Sequence, residues 1–439
     1  AASRDQGHCF LTEAQIGEGV RELIGLDLGA GLPALLSSMA GEHQLRTRVL
    51  TRNDAQLTCY FSKTLYYDED SVATRLRRMK HRAEVDSQRV DNWLRRYSEK
   101  HGLTLSEQQT DAAAGVVHHQ LSILTGGPGC GKTTTTLVIV RLLEAMNKRV
   151  TLAAPTGRAA QRMGEVIGRE AKTLHRLLEW KAGAFQINED APLETDYLIV
   201  DECSMLDISL TASVLKAVPE TCQVLFIGDS DQLPSVGAGN VLRDMITSET
   251  LPCFRLTQVF RQARESEIIR YAHEINQGRT PKIDTPFRNP ELWRSGSDCL
   301  FLDSNEATQE EIRFIERVKR HFNWQPTAPT SREPEECAPG DFRIDEKITS
   351  AYDQDFVVPD QFLHVDLQRL QQSPNQVNAL KAVLKQLSPW TSLRYGLSAV
   401  DVISRLYLEW IPKYAGVDTE IQILSPMTRG TLGTINLNR

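Results

Sequence analysis

Residues 121–133 run Leu121-Ser122-Ile123-Leu124-Thr125-Gly126-Gly127-Pro128-Gly129-Cys130-Gly131-Lys132-Thr133. A short apolar run, Leu121 to Leu124, that stops at glycines has the pattern of a buried strand. The residues after it complete G-x-x-x-x-G-K-[ST] from Gly126, with Gly127-Pro128-Gly129 at its centre. Glycines at these places let backbone N–H groups wrap a phosphate without Cβ clashes, and a helix beginning near Lys132 points its positive end there. The pattern predicts a nucleotide cradle built from Gly127, Pro128, Gly129, Cys130, Gly131, Lys132, Thr133 and Thr134, taking ATP with Mg²⁺. Lys132 is placed to reach the β- and γ-phosphates, and Thr133 to offer a hydroxyl to the metal.

Two further apolar runs end in polar residues. Tyr197-Leu198-Ile199-Val200 leads into Asp201-Glu202, and Val224-Leu225-Phe226-Ile227 leads into Gly228-Asp229 and then Gln232-Leu233-Pro234-Ser235-Val236. A strand ending in two carboxylates beside a phosphate loop suits Asp201 to hold Mg²⁺ and Glu202 to act as general base toward water. Gln232 has the reach and the amide chemistry to register a γ-phosphate. With Arg149 to Ala153 these runs alternate with helical stretches up to about Phe260, a rhythm that predicts a parallel sheet with helices on both faces.

Outside this block the signals are weaker. Leu57 to Phe61 reads as a strand in a small N-terminal domain, and Asp68 to Lys100 as helical linking structure. Beyond Phe260 a helix is expected from Ser266 to Asn276, strands at Cys299 to Leu302 and Glu420 to Leu424, and helices at Phe362 to Leu387 and Ala399 to Trp410. Prolines 326, 329, 334 and 339 mark an irregular insertion between them.

The chain has 439 residues, 41% hydrophobic and 24% charged, enough for about two to four domains. Eight scattered cysteines fit a reducing compartment, and no apolar run approaches the ~20 residues that span a bilayer, so a cytoplasmic protein is expected, with no membrane partner. Net charge is −7, so nucleic-acid binding would have to be local rather than a general basic coat. Arg75, Arg77, Arg78, Lys80, Arg82, Arg95 and Arg96 either touch phosphates or form a solvated helix face.

The order of these elements resembles superfamily 1 helicases of the RecD-like branch. Asp201-Glu202-Cys203-Ser204-Met205 is similar to that branch's D-E-x-S-M signature, and Gly228-Asp229-x-x-Gln232-Leu233-Pro234-Ser235-Val236 to its third motif. Leu105, Ser106, Gln109 and Ala112 match the upstream L-[ST]-x-x-Q-x-x-A element, which implies that Gln109 reads the adenine edge. Pro155-Thr156-Gly157-Arg158-Ala159-Ala160 and Thr173-Leu174-His175-Arg176-Leu177-Leu178 resemble stretches that touch the DNA backbone, implying contacts from Pro155, Thr156, Arg158, Thr173 and His175. Hydroxyl and guanidinium donors there suit phosphates irrespective of sequence. Leu256-Thr257-Gln258-Val259-Phe260-Arg261-Gln262 resembles motif IV, implying a γ-phosphate contact by Arg261. Trp180 to Asp190 falls where the family places a hairpin pin; Trp180 or Phe185 either stacks on a base or packs beneath the hairpin. Gly7 to Leu11, Tyr66 to Leu76 and Ile423 to Gly430 extend the likeness toward both ends.

The resemblance implies an α/β P-loop NTPase with a RecA-like parallel sheet, preceded by a small helical, winged-helix-like domain and followed by a partial second RecA-like lobe. Boundaries are expected at 1–67, 68–104, 105–263 with a hairpin near 180–193, and 264–439 with an insertion at about 322–398. It implies an ATP-dependent, 5′ to 3′ DNA helicase acting as a monomeric motor on single strands and single-strand/duplex junctions. No counterpart of the family's V-x-N-G or T-x-H-K-x-Q-G segments is found, so the chain reads as C-terminally truncated. The competing readings are a P-loop ATPase that remodels a protein partner and a noncatalytic nucleic-acid-binding subunit. Lys132, Thr133, Asp201, Glu202 and Gln232 together speak against a site that only binds, which has no use for a base.

Overall fold

The computed structural model describes residues 7–52, 55–260, 265–284, 290–293, 297–301, 325–326, 342–343, 403–404, 406–416, 418–425, 428 and 433–438. Two compact units form, Ala1–Pro281 and Lys282–Arg439.

The first unit opens with strand β1 (Phe10–Thr12), helices α1 (Glu13–Ile24) and α2 (Leu32–Gly41), and strands β2 (Leu45–Arg52) and β3 (Ala55–Ser62). The strands make an antiparallel sheet in the order β1-β3-β2. Helices α3 (Lys63–Arg78) and α4 (Ser87–His101) come next, each started by a side-chain cap, Ser62 and Asp86 respectively. Helix α5 (Glu107–Gly115) then leads into the main sheet.

That sheet consists of β4 (Leu121–Gly126), β5 (Val150–Ala154), β6 (Ala171–Thr173), β9 (Tyr197–Val200), β10 (Gln223–Gly228) and β11 (Cys253–Leu256). Its order is β11-β4-β10-β9-β5-β6 and every pairing is parallel. The crossovers carry α6 (Lys132–Ala145), α7 (Gly157–Ile167), α8 (Leu174–Leu177), a hairpin of β7 (Trp180–Lys181) and β8 (Ala184–Phe185), α9 (Ile208–Ala217) and α10 (Val241–Thr247). Helix α11 (Glu267–Asn276) comes after β11. This is the parallel sheet with helices on both faces expected from the apolar rhythm, and the α/β, RecA-like P-loop fold that the resemblance implies.

Because strand side chains alternate, a sheet covered on both faces needs apolar residues at nearly every position. On β9 and β10, Leu198, Val200, Val224 and Phe226 enter one core while Tyr197, Ile199, Leu225 and Ile227 enter the other. Phe226 is fully buried, so Phe226→Ala should cost about 3–5 kcal/mol in denaturant unfolding, where a loss under about 1 kcal/mol would contradict this packing.

The basic run divides. Arg75 binds the end of α9, its guanidinium donating to the Val218 carbonyl at 2.6 Å, while Ser209 on α9 donates to Asp68 at 2.6 Å. Arg75 thus holds α3 to the sheet domain, whereas Arg77, Arg78, Lys80, Arg82, Arg95 and Arg96 are exposed.

In the second unit, two expected strands are not found. Residues 299–301 and 420–424 have no strand pairing, and the described strands there are the two-residue pair Gln325–Pro326 and Phe342–Arg343. An apolar run, continuous at Cys299 to Leu302 or alternating at Glu420 to Leu424, does not supply a neighbouring strand, and none of the described residues pairs with either run. Leu406–Trp410 winds as a π-helical turn into a helix at Ile411–Ala415. The expected helix at Phe362 to Leu387 and most of the 322–398 insertion lie outside the described residues.

Candidate functional site

In a parallel sheet all strands end on one edge, and loops from neighbouring strands meet there. β10 lies between β4 and β9, with Thr125 opposite Gly228 and Val200 opposite Phe226. The loops after Gly126, Val200 and Gly228 are therefore adjacent.

The glycine-rich loop requires its glycines. Gly131 has φ 79° and caps α6, and a Cβ there would lie 2.5 Å from the Gln109 amide nitrogen and 2.8 Å from the Phe260 ring. At Gly126 a Cβ would meet the Leu256 carbonyl oxygen at 2.6 Å. Only glycine tolerates both the left-handed turn and the close approach. The Lys132 ammonium donates to the Gly126 carbonyl and, at 3.1 Å, to the Gly127 carbonyl. An ammonium has three N–H bonds, so two hold it across the loop and the third is available to a phosphate oxygen. Cys130 is buried, and burial pushes its thiol pKa up, so it packs rather than reacts.

After Val200 the Asp201 carboxylate accepts the Glu202 N–H at 2.8 Å. Glu202 itself has φ 54°, a left-handed conformation costing on the order of 1 kcal/mol for a residue with a Cβ. Burial raises the pKa of both carboxyls; the Asp201 charge raises Glu202 further, and the charges of Lys132 and Arg162 oppose the rise in both. The third loop joins this pair through a side chain: Ser204 donates its hydroxyl to the Gln232 amide oxygen at 3.3 Å. Asp229, buried, fixes the intervening turn by accepting the Asp231 N–H at 3.0 Å.

The fold thus brings Lys132, Asp201, Glu202 and Gln232 to one edge, with Thr133 and Thr134 at the start of α6. Gln109 is there too, donating to the Gly131 carbonyl at 3.3 Å and accepting the Ser106 N–H at 3.0 Å. Arg261 lies outside the described residues; the chain leading to it reaches Phe260, whose N–H donates to the Gly129 carbonyl at 3.3 Å.

The residues expected at DNA gather on the same edge, farther along. Ala154 of β5 lies opposite Thr173 of β6, so Pro155-Thr156 and Thr173 are side by side. Both threonines cap helices, Thr156 accepting the Ala159 N–H at 3.3 Å and Thr173 the Arg176 N–H at 3.2 Å. Each hydroxyl keeps its own proton to donate. Arg158 and His175 are exposed. His175 stands against Trp180 and Phe185, centroids 6.2 and 5.6 Å away, and the two hairpin rings meet edge-on at 4.6 Å. Phe185 packs against the core while Trp180 is 50% exposed. The two rings named as alternatives therefore differ: Phe185 packs beneath the hairpin and Trp180 presents an open surface.

Sequence reasoning gave no role to Ser204, Phe260 or Gln108. The first two stand inside recognised motifs without a chemical signal of their own. Gln108 occupies an unspecified position of its motif, and its partners are 149 and 150 residues away.

A family model described as an AAA domain matches residues 104–288. The ATP-dependent RecD2 DNA helicase of Deinococcus radiodurans is 42% identical over 213 residues, covering 48% of this chain and 29% of that protein. The RecBCD enzyme subunit RecD of Mycobacterium tuberculosis is 37% identical over 164 residues, 32% of this chain and 28% of the relative. The chain spans less than a third of the length of these two curated relatives. The crystal structure of the Pif1 helicase from Candida albicans is 22% identical, with a TM-score of 0.34 over 52% of this chain and 59% of that one.

Proposed function

We propose that this chain, whose residues 104–288 match an AAA-domain family model, is a RecD-like superfamily 1 P-loop protein and the motor of a DNA helicase that couples ATP hydrolysis to movement along single-stranded DNA. The observation that carries this reading is the meeting of Lys132, the Asp201–Glu202 pair and Gln232 at the ends of three adjacent strands. In it, Lys132 offers positive charge to the β- and γ-phosphates. Glu202 takes a proton from water, whose oxygen attacks the γ-phosphorus as the bond to ADP breaks. Thr133 and Asp201 would hold a magnesium ion, which would supply further neutralisation of the developing charge. Gln232, bonded to Ser204 just beyond Glu202, relays the state of the γ-phosphate to the third loop.

DNA contact is assigned to Pro155, Thr156, Arg158, Thr173 and His175, with Trp180 as a stacking ring at a single-strand/duplex junction. The 5′ to 3′ direction and a monomeric working unit rest on the resemblance, a cytoplasmic location rests on the scattered cysteines, and all three belong to the same proposal. Arg158→Ala is expected to weaken single-strand binding several-fold, uniformly across sequences, and to lower the slope of log K against log [salt] by about one contact. A loss confined to one sequence in a fluorescence titration would contradict backbone contact.

The reading is tested by ATP turnover of the full-length protein with and without single-stranded DNA. Stimulation by DNA of any sequence supports it. Equal turnover with and without DNA favours the protein-remodelling alternative, and DNA binding without turnover the noncatalytic one.

A further inference from the structure

The Gln108 side chain joins two distant segments. Its amide oxygen accepts the Thr257 N–H at 2.8 Å and the Gln258 N–H at 3.3 Å, and its amide nitrogen donates to the Thr257 hydroxyl at 2.8 Å. The chain leaving β11 is thereby held against the start of α5. Two residues on, Phe260 touches the phosphate loop twice: its N–H donates to the Gly129 carbonyl at 3.3 Å, and its ring lies 2.8 Å from where a Gly131 Cβ would stand. Gln109, next to Gln108, donates to the Gly131 carbonyl at 3.3 Å.

A trans peptide is planar, so its C=O and the following N–H point in opposite directions. A Gly129 carbonyl held by Phe260 turns the Cys130 N–H away from Phe260, across the loop. A Gly131 carbonyl held by the Thr135 N–H at 3.0 Å and the Thr135 hydroxyl at 2.9 Å, with Gln109 as a third donor, does the same for the Lys132 N–H. Both are N–H groups that a phosphate cradle uses, and donors fixed in advance need no rearrangement on binding.

We propose that Gln108 is a positioning residue of the nucleotide site, aiming the Cys130 N–H at bound phosphate through residues 257–260. This rests on the reading of residues 126–133 as a phosphate cradle. The test measures equilibrium binding of a fluorescent Mg·ATP analogue, and competition by tripolyphosphate, in the parent, Gln108→Leu, Gln108→Glu and Lys132→Ala. The leucine variant is expected to bind both about tenfold more weakly, the scale of one hydrogen bond to a charged group, and glutamate, which still accepts both N–H bonds, within about threefold of parent. The thermal midpoint without nucleotide should be the same for glutamate and parent. Parent-like binding by Gln108→Leu, or equal weakening in both Gln108 variants, overturns the positioning role. If Lys132→Ala still loses binding in that case, the cradle reading stands and only the Gln108 assignment falls. Absence of binding by the parent overturns both.

Discussion

In Lys132→Ala, ATP turnover by the full-length protein falls by roughly 10²–10³-fold or more, the scale for removing one preorganised donor from developing negative charge. Equilibrium affinity for Mg·ATP falls with it, because the ammonium is held at the Gly126 and Gly127 carbonyls whatever the stage of the reaction. The fold should survive. Lys132 is half-buried at the start of α6, whose remaining length packs on Val138, Ile139, Leu142 and Leu143. A far-ultraviolet spectrum and unfolding midpoint close to the parent's, combined with normal turnover, would remove Lys132 from the chemistry.

Glu202→Gln separates binding from catalysis. Turnover should drop about 10²–10⁴-fold, the range for loss of a general base, with Mg·ATP affinity changed only a few-fold. Weak binding with unchanged turnover would contradict the base assignment. The same substitution has a consequence for stability. Burial and the Asp201 charge raise the Glu202 pKa in the folded protein. A carboxyl raised in this way contributes stability below its unfolded pKa, and that contribution is lost as pH rises through the folded value. At neutral pH its charge therefore works against the fold. The neutral amide removes that charge, so the thermal midpoint should rise at pH 7 and show no gain below about pH 4, where both states of the parent carry the proton. A midpoint lowered at pH 7 would mean that the carboxylate is a stabilising group here.

Much of the sheet is legible in the sequence because its strands are buried on both faces and therefore continuously apolar. Tyr197 to Val200 is found at the expected residues, and Leu121 to Leu124 and Val224 to Ile227 lie inside slightly longer strands. The helix expected at Ser266 to Asn276 starts one residue later because Ser266 is its cap. Glu420 to Leu424 alternates polar and apolar residues as a strand with one buried face would, but forms no strand among the described residues, since sequence pattern cannot say whether a neighbouring strand exists to complete the hydrogen bonds.

The site was legible where chemistry and local turn geometry coincide, as at Gly131-Lys132-Thr133 and Asp201-Glu202. It was less so where one side chain serves two purposes. Thr156 and Thr173 invite a phosphate-donor reading, yet their oxygens first satisfy the N–H groups of the helices they start. Gln108 was invisible because nothing local distinguishes a glutamine facing solvent from one bonded to a segment brought alongside by the fold. Ser204 is similar: its tie to Gln232 exists only once β9 and β10 are neighbours.

A crystal structure of Glu202→Gln with Mg·ATP tests the whole arrangement most directly. The triphosphate is expected to be wrapped by residues 127–133, its terminal phosphate within hydrogen-bond reach of the Lys132 ammonium and the Gln232 amide, and the metal on Thr133. Nucleotide bound elsewhere, or in the loop with its terminal phosphate turned away from Asp201 and Gln232, would contradict the motor assignment.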